Sequence, residues 1–178
     1  MTLNVLFLCT HNSARSVLAE ATLNHIGQGR YRGFSAGSSP RANQQPNPFA
    51  LETLRRHGIS CEGLTSKSWD VFAQSGTKAP WVMDIIITVC DNAAGEVCPF
   101  WPGQPATAHW GYADPSAAPG SDDDRRAAFE HTWALIHQQL TQLVALPLAQ
   151  MSAEERLAAL HAMAPAPSAS PAATLGAP

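Results

Sequence analysis

Long apolar runs are missing from this 178-residue chain, and so is any excess of basic charge. A helix that spans a bilayer needs about 20 consecutive apolar residues; with none in the sequence, no membrane role is expected. Eleven Lys and Arg against 14 Asp and Glu leave a net charge of −3, which offers no electrostatic footprint for DNA or RNA. The seven histidines lack the spacing that sets two ligands on one metal ion, so no metal centre is expected. Cysteine is scarce, with four in the chain: Cys9, Cys61, Cys90 and Cys98. The first residues read as a strand, not as a charged leader with an apolar core and a cleavage site. A cytoplasmic setting follows as the expectation, and there cysteines are reactive or inert more often than they are structural disulfides.

What is present is concentrated at one point. Cys9-Thr10-His11-Asn12-Ser13-Ala14-Arg15-Ser16 follows the apolar stretch Val5-Leu6-Phe7-Leu8 and precedes a helical pattern. A tight loop of this kind turns successive backbone N–H groups of residues 10 to 15 inward, and such a nest at a helix N-terminus attracts anions. Arg15 adds a planar fork that grips two oxygens of a phosphate-like ion at once, which a lysine does only as a point charge. The same positive field, with the Ser16 hydroxyl, favours a Cys9 thiolate near neutral pH. His11 reads as a loop histidine without an assigned role. A sulfur nucleophile at the floor of an oxyanion socket is a reaction centre.

The surrounding pattern alternates strand and helix. Val17, Leu18, Ala21 and Leu23 form an apolar side, with Glu20 and Asn24 facing elsewhere and Gly27 as a stop. Tyr31 to Ala36 reads as a strand, and Asn47-Pro48 caps a helix through Ala50, Leu51 and Leu54 that ends by Gly58. Asp84 to Val89 reads as a strand buried on both faces. After Asp122-Asp123-Asp124, the positions Phe129, Trp133, Ile136, Leu140 and Leu143 recur at helical intervals, with acid at the positive end of the helix. These elements predict one α/β domain over residues 1–146, built as a small parallel sheet covered on both faces. Residues 147–178 read as an extension, with a short helix from Met151 to Met163 and then a disordered Ala/Pro/Ser-rich tail from Pro165.

Cys90 ends its strand at the carboxyl edge, where open α/β sheets gather their ligands, so it can approach Cys9; it can equally pack as a small buried hydrophobe. Cys98 lies beyond the polar stretch from Asp91 to Val97, which is flexible enough to bring the two sulfurs together. Cys61 sits in a connector and has no assigned role.

Taken with the loop, the segments Phe34-Ser35-Ala36-Gly37, Leu54 to Ile59, Thr88-Val89-Cys90 and His109-Trp110-Gly111-Tyr112-Ala113-Asp114-Pro115 resemble the arsenate reductases built on the low-molecular-weight protein tyrosine phosphatase fold. The resemblance spans roughly residues 3 to 145. It implies a three-layer sandwich around a four-stranded parallel sheet in the order 2-1-3-4. It further implies arsenic detoxification by reduction of arsenate to arsenite. Cys9 would be the nucleophile, Arg15 and the loop from Thr10 to Ala14 the oxyanion cradle, and Asp114 the general acid. Cys90 would attack the Cys9–arsenic adduct, and Cys98 would then convert a Cys9–Cys90 disulfide into Cys90–Cys98 for an external thiol reductant. Thioredoxin is the reductant implied, with glutathione and glutaredoxin as the alternative; no tightly bound cofactor is.

Two departures from that pattern matter. Ala14 stands where some members carry a further cysteine, which the three-thiol relay does not need. Some members hold potassium through residues that match Asn12, Glu20 and Ser35 plus an aspartate, but the aspartate falls near Lys67, whose ammonium can replace the cation. The rival activity on this fold is phosphotyrosine hydrolysis. Those enzymes carry aromatic residues after the Asp-Pro pair, where this chain reads Ser116-Ala117, and they have no need of Cys90 and Cys98. A non-enzymatic oxyanion sensor is the third reading.

Overall fold

The structure is a computed structural model that describes residues 1–73, 81–90, 101 and 104–165. Four strands, β1 (Leu3–Cys9), β2 (Tyr31–Gly37), β3 (Ile85–Thr88) and β4 (Ala106–His109), form one sheet in the order β2-β1-β3-β4. All three pairings are parallel, with Cys9 beside Gly37 and Thr88 beside His109. The expected strand order is therefore the observed one. The strand expected over Asp84 to Val89 is shorter by one residue at each end, although the Asp84 and Val89 N–H groups still donate to the Asn4 and Leu8 carbonyls at 2.9 and 2.8 Å. β4 lies in Ala-Thr-Ala-His, too short and too weakly β-forming to be placed from local pattern.

Helices α1 (Arg15–Ile26), α2 (Pro48–Arg56), α4 (Asp122–Ala145) and α5 (Ala153–Ala162) share one core with Leu3, Val5, Phe7, Ile85 and Ile87. On the opposite face, Leu6, Leu8 and Ile86 pack against Phe72 of the short helix α3 (Asp70–Ala73) and against Trp101. Apolar side chains on both faces of β1 and β3 explain their unbroken hydrophobic runs. Among the described residues, no helix is long and apolar enough to cross a membrane.

The helix ends follow capping chemistry. Asn47 caps α2 by accepting from the Phe49 N–H at 2.9 Å, with Pro48 in the first turn. The three aspartates expected at the positive end of α4 lie in its first turn, and Ser121 is the cap: its hydroxyl accepts from the Asp124 N–H while the Asp124 carboxylate accepts from the Ser121 N–H. This reciprocal box, rather than the macrodipole alone, sets where α4 begins. Gly27, expected to stop α1, has right-handed backbone; it is glycine because a Cβ would stand 2.6 Å from the Leu23 carbonyl oxygen. Glu20, off the apolar side of α1 as its place in the pattern suggested, turns its carboxylate toward Ser35 and Lys67.

Residues beyond 146 are not all loose. Ser152 caps α5, which lies against β4; Leu160 is fully buried, and its carbonyl accepts from the Trp110 indole N–H at 3.0 Å. The tail from residue 166 on and Cys98 lie outside the described residues.

Candidate active site

β1 delivers Cys9 to the carboxyl edge of the sheet, and α1 begins six residues later at Arg15. The loop between them closes tightly because of what lies beneath it. Gly37, at the end of β2, packs against its backbone: a Cβ there would stand 2.6 Å from the Thr10 carbonyl oxygen and 3.0 Å from the Asn12 nitrogen. The Ser38 and Ser39 N–H groups donate to the Cys9 and Thr10 carbonyls at 3.0 and 2.9 Å. Asn12 adopts left-handed backbone, with φ of 54°, a conformation Asn tolerates better than other side-chain-bearing residues. Its side chain is the hub under the loop. The amide nitrogen donates to Ser16 Oγ at 2.9 Å and to Ser35 Oγ at 2.8 Å, and the amide oxygen accepts from the Lys67 N–H at 2.9 Å.

Cys9 is buried at the floor. Its sulfur lies 3.0 Å from Ser16 Oγ and accepts from the Asn12 N–H at 3.1 Å. Burial pushes the thiol above its ordinary range, reinforced by Cys90 nearby; Ser16, the Asn12 N–H and Arg15 pull the other way. Desolvation is the largest of these influences, so the net direction is upward, against the thiolate expected near neutral pH. Cys9 alkylation by iodoacetamide, followed by peptide mass analysis, should keep accelerating with pH above the ordinary thiol range. Ser16→Ala, which removes a contact favouring the thiolate, should move that rise to higher pH. A plateau at neutral pH would contradict the dominance of burial.

Above the sulfur, Cys9, Thr10, His11, Ser13, Ala14, Arg15, Asp114 and Ser116 line a cavity of about 120 Å³. Arg15 reaches it with its guanidinium braced from behind: Nη1 donates to the Tyr112 carbonyl at 2.8 Å, and Nη2 lies 3.6 Å from Asp114 Oδ2. The His11 ring is tied by Nδ1 to the Ser39 carbonyl at 2.9 Å. Seven of the residues expected at the site thus share one pocket. Asn12 and Ser16 do not line it; they act from underneath, Ser16 on the Cys9 sulfur and Asn12 on Ser16 and Ser35. Cys90 is buried at the end of β3, and its sulfur lies 3.6 Å from Thr10 Oγ1. Two pocket features were not legible from local pattern: the Tyr112 carbonyl, which carries no side-chain signal, and Ser116, whose only trace is its place in Asp-Pro-Ser.

Below Asn12, Glu20 donates nothing but accepts from Ser35 Oγ, and Lys67 Nζ donates to the Ser35 and Thr65 carbonyls at 3.0 and 2.9 Å. Lys67 Nζ lies 4.0 Å from Glu20 Oε2. Burial raises the Glu20 carboxyl and lowers the Lys67 ammonium, while each one's charge opposes the shift in the other. The Lys67 ammonium thus sets a positive charge, bonded to two carbonyls, beside this carboxylate. Exchanging sodium for potassium should leave the melting temperature and the rate unchanged; a clear rise in either would overturn this.

The comparisons with known proteins agree with this geometry. The model of the low molecular weight phosphotyrosine protein phosphatase family matches residues 4–157. The arsenate reductase of Halalkalibacterium halodurans is 34% identical over 125 residues, covering 70% of this chain and 83% of that protein. Among solved structures, the thioredoxin-dependent arsenate reductase of Corynebacterium glutamicum is 26% identical with a TM-score of 0.56, over 84% of this chain and 64% of that one. A low molecular weight protein tyrosine phosphatase from T. tengcongensis shares the fold with a TM-score of 0.64 at 18% identity, over 81% of this chain and 99% of that one. With its Cys9-to-Arg15 loop at the edge of a 2-1-3-4 parallel sheet, the chain belongs to the low molecular weight phosphotyrosine protein phosphatase family and stands with that family's arsenate reductases.

Proposed function

We propose that this protein reduces arsenate to arsenite by a relay of Cys9, Cys90 and Cys98, reset in the cytoplasm by thioredoxin. The observation that carries the reading is the second thiol: Cys90 Sγ lies 3.6 Å from the hydroxyl of Thr10, the residue next to Cys9. Phosphate ester hydrolysis has no use for a sulfur there.

The steps balance as follows. Arsenate enters the nest of loop N–H groups as a dianion with its oxygens toward Arg15, and the Cys9 proton passes to one of those oxygens as the sulfur attacks. A sulfur–arsenic bond forms, an arsenic–oxygen bond breaks, and the oxygen leaves as water on a proton from Asp114. Cys90 as thiolate then attacks Cys9 Sγ. A disulfide forms, the sulfur–arsenic bond breaks, and its electron pair stays on arsenic, which leaves as arsenite. Cys98 attacks Cys90 Sγ, frees Cys9 and leaves Cys90–Cys98 for an external dithiol.

The pocket favours a bare oxyanion over an aryl ester. It is small and polar, and Ser116 lines it after Asp114-Pro115, where the sequence continues with Ala117 and supplies no ring to hold a substrate's ring. The test is to mix the fully reduced protein with an equimolar amount of arsenate, without other reductant, and to map disulfides by peptide mass. Arsenite release with Cys90–Cys98 is the expected result. Turnover only when glutathione and glutaredoxin are added would replace the reductant, and unchanged thiols beside aryl phosphate hydrolysis would overturn the reading.

A further inference from the structure

The Asp114 carboxylate is held unevenly. It caps the 3-10 turn Pro115–Ala117, and its Oδ1 accepts both the Ser116 N–H at 3.0 Å and the Ser116 hydroxyl at 2.7 Å. Its Oδ2 takes neither and faces Arg15 Nη2 at 3.6 Å. Ser116 lines the same cavity as Cys9 and Arg15. An oxygen that already accepts two hydrogen bonds has its lone pairs occupied, and a proton placed on it would be set against one of the two donors. Oδ2, with no donor among the described residues closer than Arg15 Nη2 at 3.6 Å, is the oxygen with room for a proton. The backbone N–H is present whatever residue follows Pro115, so the hydroxyl is the part of the arrangement that this side chain adds.

We infer that Ser116 is a positioning residue for the general acid. Its hydroxyl anchors Oδ1 and so aims the Asp114 proton, on Oδ2, at the oxygen that leaves arsenate as water. The inference rests on the arsenate reductase reading and deepens it. Without the hydroxyl, one backbone bond remains, and rotation of the carboxyl exchanges its two oxygens. The acid then spends part of its time with the proton turned away from the cavity. Arsenate binding, which depends on the loop N–H groups and Arg15, loses nothing by the change.

The test compares single-turnover arsenate reduction by the wild-type chain, Ser116→Ala, Ser116→Thr, Asp114→Asn and the Asp114→Asn/Ser116→Ala double variant. Ser116→Ala should lower the rate constant about tenfold, the upper end for one lost hydrogen bond to a neutral group, with arsenate affinity little changed. Ser116→Thr should restore it. In the Asp114→Asn background, removal of the hydroxyl should cost nothing further, which a merely structural role would not produce. A Ser116→Ala rate equal to wild type, a loss that persists in the Asp114→Asn background, or no rescue by threonine would each overturn the inference alone. Absence of arsenate reduction in the wild-type chain would instead sink the functional reading, and the inference with it.

Discussion

Cys9→Ser should abolish arsenate reduction, while Cys90→Ser should stop the reaction one step later, and the contrast between them is the sharpest test of the relay. A serine hydroxyl at the loop floor is too weakly acidic and too hard a nucleophile for arsenic, and loss of a covalent nucleophile costs about 10⁴-fold or more. Neither adduct nor arsenite should form. In Cys90→Ser the loop, Arg15 and Asp114 are untouched, so the Cys9–arsenic adduct should form and persist, visible by intact mass as a protein that carries arsenic but has released no arsenite. The thioredoxin system should give this variant no turnover. Turnover at the wild-type rate with thioredoxin would remove Cys90 from the mechanism, and turnover restored only by glutathione would show that an external thiol can take its place.

Asn12→Ala should be the most damaging substitution outside the reacting groups. Asn12 is fully buried, and its side chain satisfies Ser16, Ser35 and the Lys67 N–H at once. At about 1 kcal/mol net for each hydrogen bond, and about 1 kcal/mol more for alanine at a left-handed φ, the loss sums to roughly 4 kcal/mol. For a domain of this size that lowers the melting temperature by about 8–16 °C. Asn12→Gly should recover only the backbone share, since glycine accepts the φ but replaces none of the bonds. With Ser16 no longer held, the Cys9 thiol should also ionise less readily, read by iodoacetamide at a temperature where the variant stays folded. Equal melting temperatures for Asn12→Ala and wild type would show that the hub is dispensable.

The parts of this protein that local pattern reveals are those whose signal is local. The run from Val5 to Leu8, the Asn47-Pro48 cap and the spacing from Phe129 to Leu143 each carry a period or a cap in a few residues, and each became the expected element. β4 and α3 did not show themselves, because four residues are too few for a period and their burial comes from partners distant in the chain. Local pattern said of Glu20 only that it leaves the apolar side of α1; its place beside Ser35 and near Lys67 came from the family resemblance, because those partners are distant in the chain.

The sequence by itself determined the chemistry on offer: a cysteine and an arginine bracketing an anion-binding turn between strand and helix, an Asp-Pro pair, and a thiol at the end of a later strand. These are properties of residue types at fixed spacing, and spacing survives any folding of the rest. What only the tertiary structure decided is how strongly each group is drawn toward its task. Burial opposes ionisation of the Cys9 thiol against the pull of Ser16 and Arg15, the Tyr112 carbonyl 97 residues away holds the guanidinium, and the Ser116 hydroxyl bonds one oxygen of Asp114. Desolvation and hydrogen-bond direction depend on which atoms close in from every side, and that is settled when the sheet assembles.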